Sequence, residues 1–545
     1  MNPRRSFLVF GAVILALTLL LRWRGPARLP APQTIGTRTT KTPSTRIAHF
    51  VTKKPAPDPR TEDSGSGLHV APDGPNARPN EAVLVFKDAA AYQRFLASAG
   101  RGGLRVLARL DALNSVRVHF QSSERFAQDL AAAGGEDALA AEGNILLLPP
   151  TQPTPEQRAA YPQVPVGNHL LEALGVTGSN EAWGRGVTIA ILDTGVAADS
   201  TFGTGRLRSL DIGLGTTGTG AMDGHATAVA ALAAGAAPDA AGIAPEASLL
   251  SIRVTTADGT GDVFTVAQGI LAAVDAGAQV INVSLGADQA SLVLTRAIDY
   301  AVARGVVLVA AAGNDQAAQL SWPAADPRVV SVGAVDAVGQ QMIFSNSGPQ
   351  LQLTAPGYGL QTAWTDGTRV LFDGTSGSAP IVSGAIAALM SQNRGFTAAQ
   401  ALALLATHAN DGGAPGTDPD YGRGSLNLGW ALAGDDPNRV DTAVSSHYLN
   451  PATGTMDVVV QNRSARGVNG VELVISVNGT SQTVALPWLE AGASTAVPVV
   501  IDQAQLAKDG SLTIQTQLKT PPGTVDAVPA NNSRSSLITP PPPGG

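Results

Sequence analysis

The chain has 545 residues, of which 44% are hydrophobic and only 14% charged, with 60 glycines, 37 prolines and no cysteine. Its length exceeds the size at which one hydrophobic core stops growing, so we expect several domains. The lack of cysteine excludes a disulfide framework, a thiolate metal site and a cysteine nucleophile. A formal net charge of −7 does not suit a nucleic-acid-binding protein, so no nucleic-acid partner is expected.

The N-terminus combines basic residues with an apolar run. Arg4 and Arg5 precede residues 7–21, a run that is short for a membrane span and has the size of an export h-region. No A-x-A cleavage site follows, so residues 1–23 are either a removed signal peptide or an uncleaved signal anchor. The sequence predicts an exported protein, secreted or periplasmic, that contacts the membrane only through this segment.

The region before residue 166 divides by composition. Residues 24–80 are rich in Pro, Thr, Gly and Ser without a sustained period, and we interpret them as a linker. Residues 81–150 show the order β-α-β-β-α-β of a small ferredoxin-like α+β domain. A second linker at 151–165 separates this domain from the rest.

The larger part of the chain predicts two further domains. Between 166 and 435, short apolar strands alternate with helices of small residues, which favours an α/β fold with a parallel sheet and helices on both faces. After residue 437 the helical patterns disappear. Short strands, two of them flanking the hairpin signal Asn478-Gly479, predict a β-sandwich at 440–536, followed by a Pro/Gly tail at 537–545.

Three polar residues interrupt apolar or glycine-rich runs. Asp193 ends a predicted strand, where α/β folds place their sites, although such an Asp alone is more often a turn cap. His225 stands where a loop enters a helix of small residues, although a lone His is more often a satisfied surface or core residue. Ser376 follows Gly374 and precedes Pro380, which we expect in the first turn of a helix. The helix start would favour developing negative charge at Ser376, yet a plain N-cap also explains it.

A fourth segment places an amide after a buried strand. The strand predicted at 306–310 runs into Ala311, Ala312, Gly313 and Asn314. The Asn314 side chain could donate a hydrogen bond to an oxyanion, and the backbone N–H of Ser376 would complete such a hole. Taken alone, Asn314 is also an ordinary turn residue.

These segments resemble the subtilisin-like serine proteases, or subtilases (peptidase S8 family), over residues 182–432. The chain order Asp, His, Ser is the family's order. Further motifs follow in the family's order, namely GIAP at 242–245, NVSLG at 282–286, WP at 322–323, VGAVD at 332–336, FSNSG at 344–348 and APG at 355–357. So many short matches in one order are highly specific.

The resemblance implies the roles of the site residues. Ser376 would attack the peptide carbonyl, His225 would transfer its proton, Asp193 would orient the imidazole, and Asn314 would bind the oxyanion. Two strand edges would pair with the backbone of protein or peptide substrates, and their residues are Ser284, Leu285, Gly286, Ala311, Ala312 and Gly313. We also expect residues 259–261 at an edge and Ser321 at the mouth of the pocket for the residue before the scissile bond, with no charged residue lining that pocket.

The sequence departs from the family near the site. Ala226 and Ala228 stand where Gly and His are usual, Gly377 stands where Met is common, and Ile381 replaces a frequent His. These changes put substrate preference and helix packing in doubt more than catalysis. Calcium sites are common in the family, but no ligand set carries over residue by residue, so no metal ligand and no certain cofactor are predicted.

The flanking domains also resemble known types. Residues 81–150 resemble the family's inhibitory propeptide, which implies a zymogen that is cut between 148 and 165 and binds its own propeptide. Residues 440–536 resemble a CARDB-type or cell-adhesion β domain, which would bind a cell-surface ligand.

Two other functions were weighed against an endopeptidase. A catalytically silent subtilase that binds surfaces has no need of the triad together with Asn314. An esterase normally carries G-x-S-x-G with the order Ser, acid, His, which this chain lacks.

Overall fold

The computed structural model describes residues 45–48 and 69–539, except positions 73, 75, 152–153, 155–162, 221, 257, 394 and 435. The predicted export segment at 1–23, most of the predicted linker at 24–80 and most of the predicted tail at 537–545 lie outside the described residues. In the described part of the chain, no helix is long and apolar enough to cross a membrane.

The N-terminal unit follows the predicted order β-α-β-β-α-β between residues 77 and 147. The first helix begins after Asp88, whose side chain accepts a hydrogen bond from the backbone N–H of Ala91, as expected for an N-cap. The strands up to this point in the chain are β1 (Thr45–Ala48), β2 (His69–Ala71), β3 (Ala77–Phe86), β4 (Arg105–Leu110), β5 (Ser115–His119) and β6 (Ala138–Leu147), and the helices are α1 (Ala89–Ser98) and α2 (Ser123–Ala132).

The interpretation of residues 24–80 as a linker is wrong at β1, β2 and the start of β3. The strand β2 pairs with β6 in parallel, and β1 pairs in parallel with residues 535–538 near the other end of the chain. The partner strands are distant in sequence, so β1 and β2 could not be predicted from a local pattern of apolar residues.

The central domain alternates strands and helices. Its strands are β7 (Thr188–Asp193), β8 (Leu207–Leu210), β9 (Ala236–Ala237), β10 (Ala240–Ala241), β11 (Ser248–Arg253), β12 (Gly261–Asp262), β13 (Val280–Val283), β14 (Val307–Ala311), β15 (Val330–Val335), β16 (Leu353–Pro356), β17 (Leu360–Ala363) and β18 (Arg369–Phe372). Its helices are α3 (Leu170–Ala173), α4 (His225–Ala234), α5 (Val263–Asp275), α6 (Leu292–Val302), α7 (Thr375–Gln392), α8 (Ala398–Thr407) and α9 (Leu428–Ala433).

Seven of these strands form one parallel sheet in the order β16-β15-β14-β13-β7-β11-β8. Successive side chains of β7 enter different cores, because a strand's side chains alternate between the two faces of a sheet. Ile189 and Ile191 pack with α4 and α7, whereas Ala190 and Leu192 pack with α5 and α6. The predicted fold class, a parallel sheet with helices on both faces, is confirmed.

The N-terminal unit docks on α5 and α6. One face of its sheet contributes Val83, Val85 and Leu147 to the core cluster that contains both helices, while its other face covers α1 and α2. The sheet runs β12-β6-β3-β5-β4, so that β12 of the central domain extends it as an edge strand. The two domains therefore share both a hydrophobic core and a β-ladder.

The C-terminal domain packs two sheets around a separate core. The sheets are β19-β20-β23 and β1-β25-β24-β21-β22. The expectation that no helix occurs here is wrong, because a two-turn helix, α10 (Gln503–Asp509), begins after Asp502, whose side chain caps Gln505 N. The strands of this domain are β19 (Thr442–Leu449), β20 (Thr455–Asn462), β21 (Glu472–Val477), β22 (Thr480–Ala485), β23 (Ser494–Val500), β24 (Leu512–Lys519) and β25 (Ser533–Ile538).

Candidate active site

The carboxylate of Asp193 and the imidazole of His225 form a buried pair. Asp193 ends β7, which lies beside the central strand of the sheet, and His225 begins α4. Both side chains have an exposed fraction of 0%. The His225 Nδ1 lies 2.8 Å from Asp193 Oδ1 and 2.9 Å from Oδ2, while Thr194 N donates to Oδ1 at 2.7 Å. A carboxylate in this position favours the tautomer with hydrogen on Nδ1, leaving Nε2 free to accept a proton.

Ser376 is the second residue of α7, so its N–H lies in the first turn, where helices lack internal acceptors. Gly374 precedes the helix with a φ of 128°. A Cβ added at Gly374 would lie 2.8 Å from the Asn314 Nδ2, so both the backbone conformation and the available space require glycine there.

Pro380 lies inside α7, one turn later than expected. A proline has no N–H, so the carbonyl of Ser376, four residues earlier, lacks its helical donor. The Oγ of Ser284 donates to that carbonyl at 3.2 Å, and the Nδ2 of Asn282 donates to the same Oγ at 3.0 Å. The proline is tolerated because a side chain from the loop after β13 replaces the missing backbone donor.

The amide of Asn314 is held on its acceptor side. Its Oδ1 accepts hydrogen bonds from Thr375 N at 3.0 Å and Thr375 Oγ1 at 2.8 Å. The Nδ2 therefore points away from Thr375, and it donates to the backbone carbonyl of Thr151 at 2.9 Å. The amide is preorganised as a hydrogen-bond donor at the start of α7.

Two buried polar atoms at this place have no hydrogen-bond partner in the described part of the chain, namely His225 Nε2 and Ser376 Oγ. Ser376 has an exposed fraction of 1%. The ring of Phe372, which stands four residues before Ser376, lies 5.5 Å from the His225 ring, measured between the ring centroids. Buried polar atoms are normally paired, and the two atoms left unpaired here belong to the predicted nucleophile and base.

The two predicted strand edges lie around these residues. Gly286 forms a two-bond antiparallel bridge with Leu148, and Gly313 N donates to Thr375 Oγ1 at 3.2 Å. The carbonyl of Ala312 accepts from Ser321 N at 3.0 Å. Leu285 and Ala311 are buried, and Ala311 ends β14.

The electrostatics at the start of α4 involve a second carboxyl group. Asp223, two residues before His225, is partly buried, and this burial raises the pKa of its carboxyl, with the charge of Asp366 raising it further. Among residues 76–151 and 163–539 with their short gaps, no group of three or more His, Asp or Glu side chains is arranged to hold a metal ion.

Sequence reasoning missed the role of Ser284 in supporting the serine carbonyl. The sequence does indicate that such a donor is needed, because Pro380 stands four residues after Ser376 and has no N–H to donate to the Ser376 carbonyl. The identity of the replacement donor was not readable, since Ser284 lies about ninety residues away.

A parallel α/β sheet carrying a buried Asp–His pair and a buried serine at a helix start is the arrangement of serine hydrolases. Residues 184–424 match the peptidase S8 family, the Subtilase family. The chain is 34% identical to subtilisin BL of Lederbergia lenta over 246 residues, which are 45% of this chain and 90% of that protein. It is 33% identical to subtilisin DY of Bacillus licheniformis over 280 residues, which are 49% of this chain and 97% of that protein.

Among solved structures, the chain is similar to fervidolysin from Fervidobacterium pennivorans, described as a keratinolytic enzyme related to subtilisin. The TM-score is 0.55 at 21% identity, over 87% of this chain and 78% of that chain, and this likeness bears on the fold alone. The chain belongs to the subtilase family of serine peptidases, and its substrates are proteins or peptides. The predicted family and enzyme class are confirmed.

Proposed function

We propose that this chain is an exported serine endopeptidase, made as a zymogen, with Asp193, His225 and Ser376 as its triad. The observation that carries the proposal is the buried Asp193–His225 pair, beside which His225 Nε2 and Ser376 Oγ have no partner in the described residues. A scaffold kept only for binding would have no reason to leave these two atoms unsatisfied.

The chemistry follows from these positions. Ser376 Oγ attacks a peptide carbonyl while His225 Nε2 takes its proton, and Asp193 stabilises the imidazolium through Nδ1. The oxyanion accepts hydrogen bonds from Asn314 Nδ2 and Ser376 N. His225 then protonates the leaving amine, and a water activated by the same imidazole hydrolyses the acyl-enzyme.

The N-terminal unit is proposed as the inhibitory propeptide. Its last strand, β6, pairs with β12, and Leu148 pairs with Gly286, so its chain follows the edge where a substrate backbone would bind. Export is proposed from Arg4, Arg5 and the apolar run at 7–21, which lie outside the described residues.

The test compares the full-length protein with its Ser376→Ala variant by intact mass and by activity on a mixture of unstructured peptides. We expect only the wild type to lose its N-terminal unit and to cleave the peptides. A wild type that stays intact and inactive would favour a silent surface-binding subtilase, and equal cutting of both proteins would show that a host protease removes the unit.

A further inference from the structure

A second buried amide, Asn346, lies beside the loop that carries Asn314. Asn346 is 2% exposed. Its Oδ1 accepts hydrogen bonds from the backbone N–H groups of Asp315 at 2.9 Å and Ala317 at 3.0 Å, and its Nδ2 donates to the Ala312 carbonyl at 3.2 Å. A single side chain therefore binds the main chain on both sides of Asn314.

The backbone of Asn346 adds a fourth hydrogen bond to the same loop. Asn346 N donates to the Gly313 carbonyl at 3.0 Å. Gly313 has a φ of 108°, and a Cβ added there would lie 2.2 Å from the Asn346 Nδ2. The loop can approach the amide this closely only because residue 313 is a glycine. Since Gly313 directly precedes Asn314, this contact fixes the chain immediately before the proposed oxyanion donor.

The residues on either side of Asn346 hold it in place. Ser345 is buried, and its Oγ accepts a hydrogen bond from Ala334 N of β15 at 3.1 Å. The Oγ of Ser347 donates to Asp420 Oδ1 at 2.6 Å. The amide is thus attached to the parallel sheet on one side and to the loop between α8 and α9 on the other.

We infer that Asn346 is a positioning residue for the proposed peptidase reaction, because it sets where the Asn314 Nδ2 lies. This inference rests on the proposed function, which assigns the oxyanion to Asn314. Thr375 orients the end of the Asn314 side chain through its Oδ1, whereas Asn346 fixes the main chain from which that side chain starts. Accurate placement matters, since a misplacement of about 1 Å in an active site can cost ~10² in rate.

The strand edge beside this loop has other support. Ala312 N donates to the Val332 carbonyl of β15 at 3.0 Å, and the Ala312 carbonyl also accepts from Ser321 N at 3.0 Å. Removing the Asn346 side chain therefore leaves Ala312 paired, whereas the two N–H groups that its Oδ1 accepts lose that acceptor. The effect should fall on the donor Asn314 and not on the edge that would pair with the substrate backbone.

The first experiment measures steady-state kinetics of Asn346→Ala on a short peptide substrate. The full-length variant is matured by immobilised wild-type enzyme, which is removed before the assay. We expect kcat to fall about tenfold to hundredfold while KM changes by less than about twofold, because only an interaction of the transition state is weakened. Wild-type constants, or a rise in KM at constant kcat, would overturn the inference.

A peptide aldehyde provides a readout that a merely structural role would not move. When Ser376 Oγ adds to the aldehyde carbon and its proton passes to His225 Nε2, the aldehyde oxygen becomes an oxyanion beside Asn314. We expect the Ki of the aldehyde to rise in Asn346→Ala by about the same factor as kcat falls. A Ki that stays at the wild-type value would contradict a role through the oxyanion donor.

The double variant with Asn314→Ala separates this inference from the proposed function. If Asn346 acts through Asn314, adding Asn346→Ala to Asn314→Ala should lower kcat by less than about twofold further. Losses that multiply would exclude the positioning role and keep the proposed function. An unchanged kcat in Asn314→Ala would exclude the oxyanion assignment and this inference together.

The matched control is Asn462→Ala in the C-terminal domain. Asn462 is buried, and its Nδ2 donates to the carbonyls of Arg466, Leu489 and Glu490 at 2.9, 3.0 and 3.0 Å. This variant also loses a buried amide that holds a loop, so we expect a comparable fall in Tm with wild-type kcat. An equal loss of kcat in Asn462→Ala would mean that destabilisation alone explains the effect. If Asn346→Ala does not fold, Asn346→Ser keeps a small polar group there and should show the same split between kcat and KM.

Discussion

At the scale of single residues, Asn314, the proposed oxyanion donor, is held in place by the backbone N–H and the hydroxyl of Thr375. Asn314 is 2% exposed and both acceptor contacts of its amide go to Thr375. The hydrogen bond from Asn314 Nδ2 strengthens as negative charge develops on the carbonyl oxygen of the substrate. Removing the Asn314 side chain should therefore slow the chemical step and leave substrate binding in the ground state unchanged.

We therefore expect Asn314→Ala to lower kcat by ~10²–10³ with little change in KM on a peptide substrate. Steady-state kinetics on protein that has been matured by added wild-type enzyme would measure this. Asn438→Ala, at an exposed position outside the cleft, is the matched control. A rise in KM at constant kcat would assign Asn314 to substrate binding instead.

The carbonyl of Ser376 depends on a side chain because of Pro380. In Ser284→Ala this buried carbonyl loses its donor, and we expect kcat to fall about tenfold as the first turn of α7 loosens around Ser376, the proposed nucleophile. The informative variant is the double one with Pro380→Ala, since an alanine supplies the helical N–H to the Ser376 carbonyl. Recovery of kcat in the double variant would establish Ser284 as a positioning residue. If the two losses simply add, the hydroxyl acts in another way.

At the scale of elements, the loop between α8 and α9 carries Asp418, a carboxyl group that is largely removed from solvent. The Asp418 Oδ1 accepts hydrogen bonds from the backbone N–H groups of Asp420 and Tyr421, at 2.7 and 2.9 Å, whereas its Oδ2 has no partner among the described residues. Burial raises the pKa of Asp418 from 3.8 to about 7. The folded state thus holds a proton that the unfolded state releases, and its stabilising effect is lost as the pH rises from 3.8 through 7.

Asp418→Asn should keep the hydrogen bonds that Oδ1 accepts and should remove the loss of stability that occurs as the pH rises. In a Ser376→Ala background, which prevents autolysis, we expect the substitution to raise stability at pH 8.5 by roughly 1–3 kcal/mol, or several degrees in Tm, and by much less at pH 5. Thermal unfolding at both pH values would measure this difference in stability. Asp436→Asn, an exposed control, should give the same Tm difference at both values. An equal gain from Asp418→Asn at pH 5 and 8.5 would contradict the raised pKa.

A helix or strand could be predicted from sequence where its pattern of apolar and polar residues matches its burial in the folded domain. The apolar run of β7 and the small-residue run of α4 follow from burial on both sides, and the polar residues that end or begin them, Asp193 and His225, mark the site. Residues that depend on distant partners were not predictable. β1 is formed by pairing with β25, and α10 is a short capped helix within a β domain. The contact of Thr151 with Asn314 needs the docking of two domains, which no local periodicity encodes.

At the scale of the whole molecule, the N-terminal unit is attached to the central domain by charged contacts as well as by the shared core. The carboxylate of Glu142 accepts hydrogen bonds from Ser291 Oγ and from Leu292 N at the start of α6, where the helix dipole favours an anion. In return, Arg296 of α6 donates to the carbonyls of Phe86 and Leu113 at 2.8 and 2.9 Å.

Glu142→Gln removes the negative charge and keeps the shape of the side chain. We expect the cut N-terminal fragment to dissociate faster, so that the delay before full peptidase activity shortens by about threefold to tenfold. Activity followed over time after processing, with co-elution of the fragment in size-exclusion chromatography, would measure this. Glu136→Gln, on the exposed side of the same unit, should leave the delay unchanged. An unchanged delay in Glu142→Gln would mean that the hydrophobic face alone holds the fragment.

The pairing of β1 with β25 would give the proposed propeptide a second point of attachment. The proposed propeptide would carry β1 with it, and the backbone ladder from Thr45 to Ala48 joins β1 to the C-terminal sheet. If the N-terminal unit is the propeptide that we propose, the β1–β25 pairing would keep the cut fragment near the central domain at an effective concentration on the order of millimolar, which favours rebinding. The start of full peptidase activity would then depend on the opening of this ladder as well as on dissociation of the fragment from the central domain.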